Sequence, residues 1–224
     1  MTAGVPAPFL KAQRHLARRD PVLKKLITAV GPCTLRRDAD HFAALVRAIV
    51  AQQISTRAAT AIHGRLTEAL SATGVTPAAI LSVQPRWLRA VGLSAAKARS
   101  VLDLAGKVQA GAVPFDTLHR LPDEEIIGLL LPVRGIGRWT AEMFLIFSLG
   151  RFDVLPVTDW GLRVAVKRQY GMPLLPGKHQ LTALAEPWRP YRSVATWYLW
   201  RSLGFVPQSG LTIKDRRAKM EDRE

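Results

Sequence analysis

The chain has 224 residues, with 32 Lys and Arg against 17 Asp and Glu, a formal charge of +15 and 48% hydrophobic residues. This supports one large or two small domains with a substantial core, and the positive excess favours a polyanion over an acidic small molecule as partner. No apolar run approaches the roughly 18 residues that a spanning helix needs, Met1 to Leu10 lacks the charged-then-apolar pattern of a leader, and a single cysteine excludes an internal disulfide or a thiolate cluster.

The expected protein is therefore soluble and intracellular, with nucleic acid as its leading partner, no membrane association and no iron–sulfur cluster. Cys33 reads as a small core residue. The five histidines, His15, His41, His63, His119 and His179, show no paired spacing on one helix face, which gives no support to a histidine metal site.

In chain order the dominant period is helical, no run alternates apolar and polar residues as a strand does, and the expected fold class is all-α. Asp40 can cap a helix whose apolar residues Phe42, Leu45, Val46, Ile49 and Val50 fall on one face, followed by the polar Gln52-Gln53-Ile54-Ser55. Ser55 can cap a second helix carrying Ala59, Ile62, Leu66 and Leu70, and Thr76-Pro77 supplies a cap and a first-turn proline for a short third. Ser94 opens a longer helix to Gly111. Asp123-Glu124-Glu125 places negative charge at the start of a helix running to Leu131.

Next comes a glycine turn, Leu131-Pro-Val-Arg-Gly-Ile-Gly-Arg138. Gly135 and Gly137 permit positive φ and close backbone approach, while Arg138 and the first N–H groups of the following helix can meet a phosphate. That helix spans Arg138 to Leu149 with Trp139, Met143, Phe144 and Phe147 apolar, and Gly150 stops it. An extended stretch from Phe152 to Val157 contains the helix-breaking Pro156, so Asp159 sits at the start of a helix from Trp160 to Tyr170. A last helix runs from about Tyr191 to Leu203, and the mixed-charge tail from Lys214 to Glu224 reads as disordered.

Three separated motifs, Leu131-Pro-Val-Arg-Gly-Ile-Gly-Arg-Trp-Thr-Ala141, Val154-Leu-Pro-Val-Thr-Asp159 and Ala48-Ile-Val-Ala-Gln-Gln-Ile-Ser55, together resemble the helix-hairpin-helix DNA glycosylases, closest to the 3-methyladenine DNA glycosylase II family. Trp188-Arg-Pro-Tyr-Arg-Ser193 with Trp200 resembles the C-terminal helical region of the same family. The likeness covers roughly Asp40 to Phe205.

The resemblance implies two helical lobes, 40–153 and 1–39 with 154–210, a charged tail at 211–224, and an active site in the cleft between the lobes. It implies excision of an alkylated base flipped out of double-stranded DNA, by a monomeric base-excision-repair enzyme of the bacterial cytoplasm and nucleoid. Asp159 would be catalytic, stabilising the sugar cation as the glycosidic bond breaks and orienting water. Where lyase relatives carry a Schiff-base lysine, this chain has Trp139, which implies a monofunctional enzyme.

Trp139 and Trp200 would line the base pocket, where an indole face attracts a cationic base. Gly135, Gly137, Arg138 and Thr140 would contact DNA, with Gln53 or Ile54 as the wedge filling the gap. The backbone carbonyls of Leu131, Val133 and Ile136 would hold a monovalent cation, Na+ or K+, and the chemistry would need no cofactor. Arg134 stands where the family usually has proline, and Thr158 where some relatives carry a second acid. The chain begins near the helical core, which implies a member without the extra N-terminal β domain of longer relatives and with a broader substrate range.

Overall fold

A computed structural model describes residues 7–204, and these form helices with no strand among them. The chain opens with α1 (Ala7–Arg19) and α2 (Pro21–Val30). Asp20 separates them: its Oδ1 accepts the Val22 and Leu23 N–H groups at 2.8 and 3.0 Å, and Pro21 occupies the first turn, where its missing N–H costs nothing.

The chain then builds α3 (His41–Ala51), α4 (Thr56–Ala69), α5 (Pro77–Ser82), α6 (Pro85–Ala90), α7 (Ala95–Gln109), α8 (Asp123–Leu130) and α9 (Arg138–Phe144). Asp40, Ser55, Thr76 and Ser94 each accept a backbone N–H as caps, as their sequence positions predict. Gly150, at φ +69°, lies where a Cβ would run into the Arg37 side chain. Beyond it come α10 (Trp160–Gln169), α11 (Lys178–Leu184) and α12 (Arg192–Ser202).

The described residues divide into two compact units. One comprises 7–37 and 150–204, the other 38–149. In the first, α2 and α10 pack on α12, and the core gathers Leu16, Leu23, Leu162, Trp188 and Leu199. Helix α12 is buried continuously from Ser193 to Trp200, so it has no polar face and runs through the middle of its unit. Cys33 is 3% exposed in this core, consistent with a small packing residue.

In the second unit, α3 is central, contacting α4, α7 and α9 with the buried face formed by Phe42, Leu45, Val46, Ile49 and Val50. Helix α7 packs on α3, α5 and α6, and α8 packs on α9.

The structure also departs from the sequence reading. Helices α1, α2, α6 and α11 were not anticipated. The helix expected from Arg138 to Leu149 keeps α-helical geometry only to Phe144 and widens to a π-helical turn over Leu145–Leu149. The tail expected to be disordered lies outside the described residues. Among the described residues no helix is long and apolar enough to cross a membrane, and no group of three His, Cys, Asp or Glu side chains could hold a metal ion.

Candidate active site

In the first unit the extended stretch before Asp159 is laced to the start of α12. The Ser193 N–H donates to the Phe152 carbonyl and the Val154 N–H to Ser193 Oγ, both at 2.9 Å. Arg192 grips Asp153 through Nε at 2.8 Å and Nη2 at 3.0 Å, and Arg189 adds Nη1 at 2.8 Å. The Trp188-to-Ser193 motif is thus the clamp for the segment that delivers Asp159. A turn closed by the Asp159 N–H on the Pro156 carbonyl follows, and α10 begins.

Asp159 caps α10, is 1% exposed, and uses Oδ1 to accept the Leu162 N–H at 2.6 Å. Trp200 Nε1–H donates to the same oxygen at 2.8 Å. The indole of Trp200 is 0% exposed. The structure therefore brings together two of the residues singled out from sequence, but it shows Trp200 as a donor to the carboxylate, with no ring face open to a base. Two N–H dipoles and a helix N-terminus converge on this negative charge and fix its orientation.

In the second unit α8 and α9 form a hairpin around the glycine turn. The Val133 N–H meets the Leu130 carbonyl and the Ile136 N–H meets the Val133 carbonyl, both at 3.0 Å. Gly135 takes φ +79°, and a Cβ there would lie 2.8 Å from Ser100 Oγ, so the left-handed turn and the close packing both require glycine. Gly137 begins α9, and Gly135, Gly137 and Arg138 are exposed while Thr140 is buried and Trp139 half-buried.

Arg138 pairs with Glu124 through two bonds, at 3.1 and 2.6 Å, and lies 3.7 Å from Glu142. The Arg134 N–H donates to Asp103 Oδ2 at 2.7 Å, a bond that a proline at this place could not make and that ties the turn to α7. The Lys107 ammonium beside Asp103 holds its carboxyl below the usual carboxylate value.

Gln53, an exposed residue, sits between α3 and α4 at φ +58°, the single non-glycine residue with positive φ among those described. Such a backbone costs of order 1 kcal/mol or more and is kept where its surroundings enforce it. Ile54 beside it is half-buried. Sequence reasoning missed Gln52, whose Nε2 donates to the Gly135 carbonyl at 2.7 Å across 83 positions. It also missed the part played by two side chains of α7: Lys97 donates to the Val50 carbonyl at 2.6 Å and Ser100 packs on Gly135.

A glycine-turned hairpin in one unit and a capped, buried carboxylate in the other define the helix-hairpin-helix class. Residues 46–190 match the HhH-GPD superfamily base excision DNA repair proteins. DNA-3-methyladenine glycosylase 1 of Schizosaccharomyces pombe is 36% identical over 198 residues, covering 86% of each chain. A structure of 3-methyladenine DNA glycosylase from that yeast in complex with abasic DNA has a TM-score of 0.75 at 34% identity, covering 88% of this chain and 98% of that one.

The DNA-3-methyladenine glycosidase of Bacillus halodurans has a TM-score of 0.79 at 35% identity, covering 86% of this chain and 89% of its own. The chain belongs to the HhH-GPD superfamily, as a base excision DNA repair protein of the DNA glycosylase class.

Proposed function

We propose that this enzyme is a monofunctional alkylbase DNA N-glycosylase, acting as a monomer on double-stranded DNA of the nucleoid. It flips an alkylated base from the helix and hydrolyses its N-glycosidic bond with water as the nucleophile. The observation that carries the reading is the Asp159 carboxylate, buried at 1% exposure and held through Oδ1 by two donors at 2.6 and 2.8 Å. As the bond breaks the deoxyribose gains oxocarbenium character, and a preoriented carboxylate stabilises that charge without reorganising. Trp200 acts as the positioning residue for this carboxylate.

The hairpin carries the DNA contacts: Gly135, Gly137 and Thr140 by backbone approach, Arg138 by its guanidinium. Trp139, half-buried at the start of α9, offers an indole to a cationic base and supplies no amine for a Schiff base. Gln53, with Ile54 beside it, fills the space the base vacates. The carbonyls of Leu131, Val133 and Ile136 would hold a monovalent cation. The chemistry fits, because a carbonyl that accepts one N–H, as Val133 does from Ile136, keeps a second lone pair. When bound, such an ion would add positive charge to a phosphate-facing turn.

The test is Asp159→Asn, assayed for release of N7-methylguanine and N3-methyladenine from duplex DNA and for binding to a duplex with an abasic mimic. Loss of release by at least about a hundredfold with retained binding is expected. Unchanged release would reject the assignment.

A further inference from the structure

Gln53 has a strained backbone, and the residue before it reaches the hairpin. Gln52 ends α3 at φ −56° and ψ 131°, and its Nε2 donates to the carbonyl of Gly135, the glycine of the turn that itself takes φ +79°. Behind both lies one face of α7. Lys97, Ser100 and Asp103 follow one another at three-residue spacing and so share that face. Lys97 holds the Val50 carbonyl in the last turn of α3, at 2.6 Å. Ser100 fills the space against Gly135, and Asp103 takes the Arg134 N–H at 2.7 Å. One helix thus anchors the end of the wedge loop and two successive residues of the hairpin, and Gln52 closes the ring directly. Each of these contacts ends on the backbone of a loop or of a helix terminus.

We infer that Gln52 is a positioning residue that latches the wedge loop to the hairpin, so that seating a phosphate on the turn and driving Gln53 into the base stack are one step. The inference rests on the glycosylase reading above. Without the latch, Gln53 can relax from its left-handed backbone, and the free energy of phosphate binding no longer reaches the stack. The bond matters most where a base must be forced from a paired helix. It matters little where the base is already unpaired.

The experiment compares Gln52→Met and Gln52→Glu with the parent enzyme on two substrates that carry one N7-methylguanine, first paired and then in a single-base bulge. Met keeps the volume and removes the donor, while Glu places a carboxylate against the Gly135 carbonyl. Single-turnover release from the paired lesion is expected to fall roughly tenfold, as suits a lost hydrogen bond that also relieves strain, and release from the bulge to stay within about twofold. A 2-aminopurine next to the paired lesion should lose most of its fluorescence rise on binding. Equal slowing on both substrates, the mark of a merely structural role, would overturn the inference, as would no slowing on either.

In the unaltered protein, hydrogen exchange on undamaged duplex should slow in 50–55 together with 131–138. Protection of the hairpin alone would also overturn it, whatever the variants do. Asp159→Asn run alongside separates the two readings: release surviving in that variant rejects the glycosylase assignment, and its loss leaves the Gln52 result to judge the latch alone.

Discussion

Trp200 donates its indole N–H to Asp159 Oδ1 at 2.8 Å, across 41 positions of sequence. The bond joins the middle of one unit to the cap of α10 and makes the aim of the carboxylate a property of core packing. Trp200→Phe keeps a ring in the core and removes the donor. Release at saturating DNA is expected to fall about ten- to a hundredfold, in line with a hydrogen bond to a charged group, with abasic-DNA affinity nearly unchanged. Trp197→Phe is the control, because Trp197 is 3% exposed and meets Tyr198 edge to face at 4.9 Å. That variant should lose stability yet keep its rate, and equal rate loss in the two would deny Trp200 its special role.

Glu124 competes with a phosphate for Arg138, through an exposed contact at 2.6 Å between side chains 48% and 73% exposed. Exposed pairs contribute little, so the exchange costs little. Glu124→Gln should tighten binding to duplex DNA by a few fold. Arg138→Ala should weaken it and flatten the slope of log affinity against log salt by about one. Binding isotherms between low and physiological salt measure both, and an unchanged slope for Arg138→Ala would remove that residue from the DNA interface.

In the proposed reading Trp139 takes the place of the amine that a lyase would carry. Borohydride added during turnover is expected to trap no covalent enzyme–DNA adduct, and the product should keep an intact strand at the abasic site until heated in alkali. A trapped adduct on a denaturing gel would show that an amine elsewhere in the chain forms the Schiff base and would make the enzyme bifunctional.

Burial pushes the Cys33 thiol up to about 12 from its ordinary 9.0, opposed in part by a backbone hydrogen bond from Leu35. A raised folded value means that the contribution to stability is complete below 9.0 and is lost as pH climbs toward 12. Burial raises the Tyr170 and Tyr198 hydroxyls as well. The urea midpoint should therefore fall steeply above pH 9, and less steeply in Cys33→Ala. The folded protein should also resist thiol reagents at pH 8; ready labelling would place Cys33 outside the core.

Much of this was legible in the chain. The caps at Asp40, Ser55, Thr76 and Ser94 lie where side-chain oxygen precedes a periodic apolar run, and a local rule is enough to find them. The glycine turn and the capping position of Asp159 were visible for the same reason. Helix α1 was missed because only Ala12 and Leu16 are buried on it, too few for a stripe, whereas α2 carried a readable signal in Asp20-Pro21. Gln52 left no trace, since a side chain that reaches a backbone carbonyl 83 positions away obeys no period. Trp200 looked like a pocket wall because type and position do not say which edge of an indole is used. Its place on a helix buried on every side decided for the N–H edge.

The unit that holds Asp159 is assembled from the first and the last described segments of the chain. During synthesis on a ribosome, α1 and α2 must wait through the whole production of the intervening unit before their packing partners emerge. The carboxylate leaves the exit tunnel well before the tryptophan that fixes it. A nascent protein released before position 200 would carry the acid without the indole that fixes its aim, so a positioned carboxylate arrives only once α12 has been made.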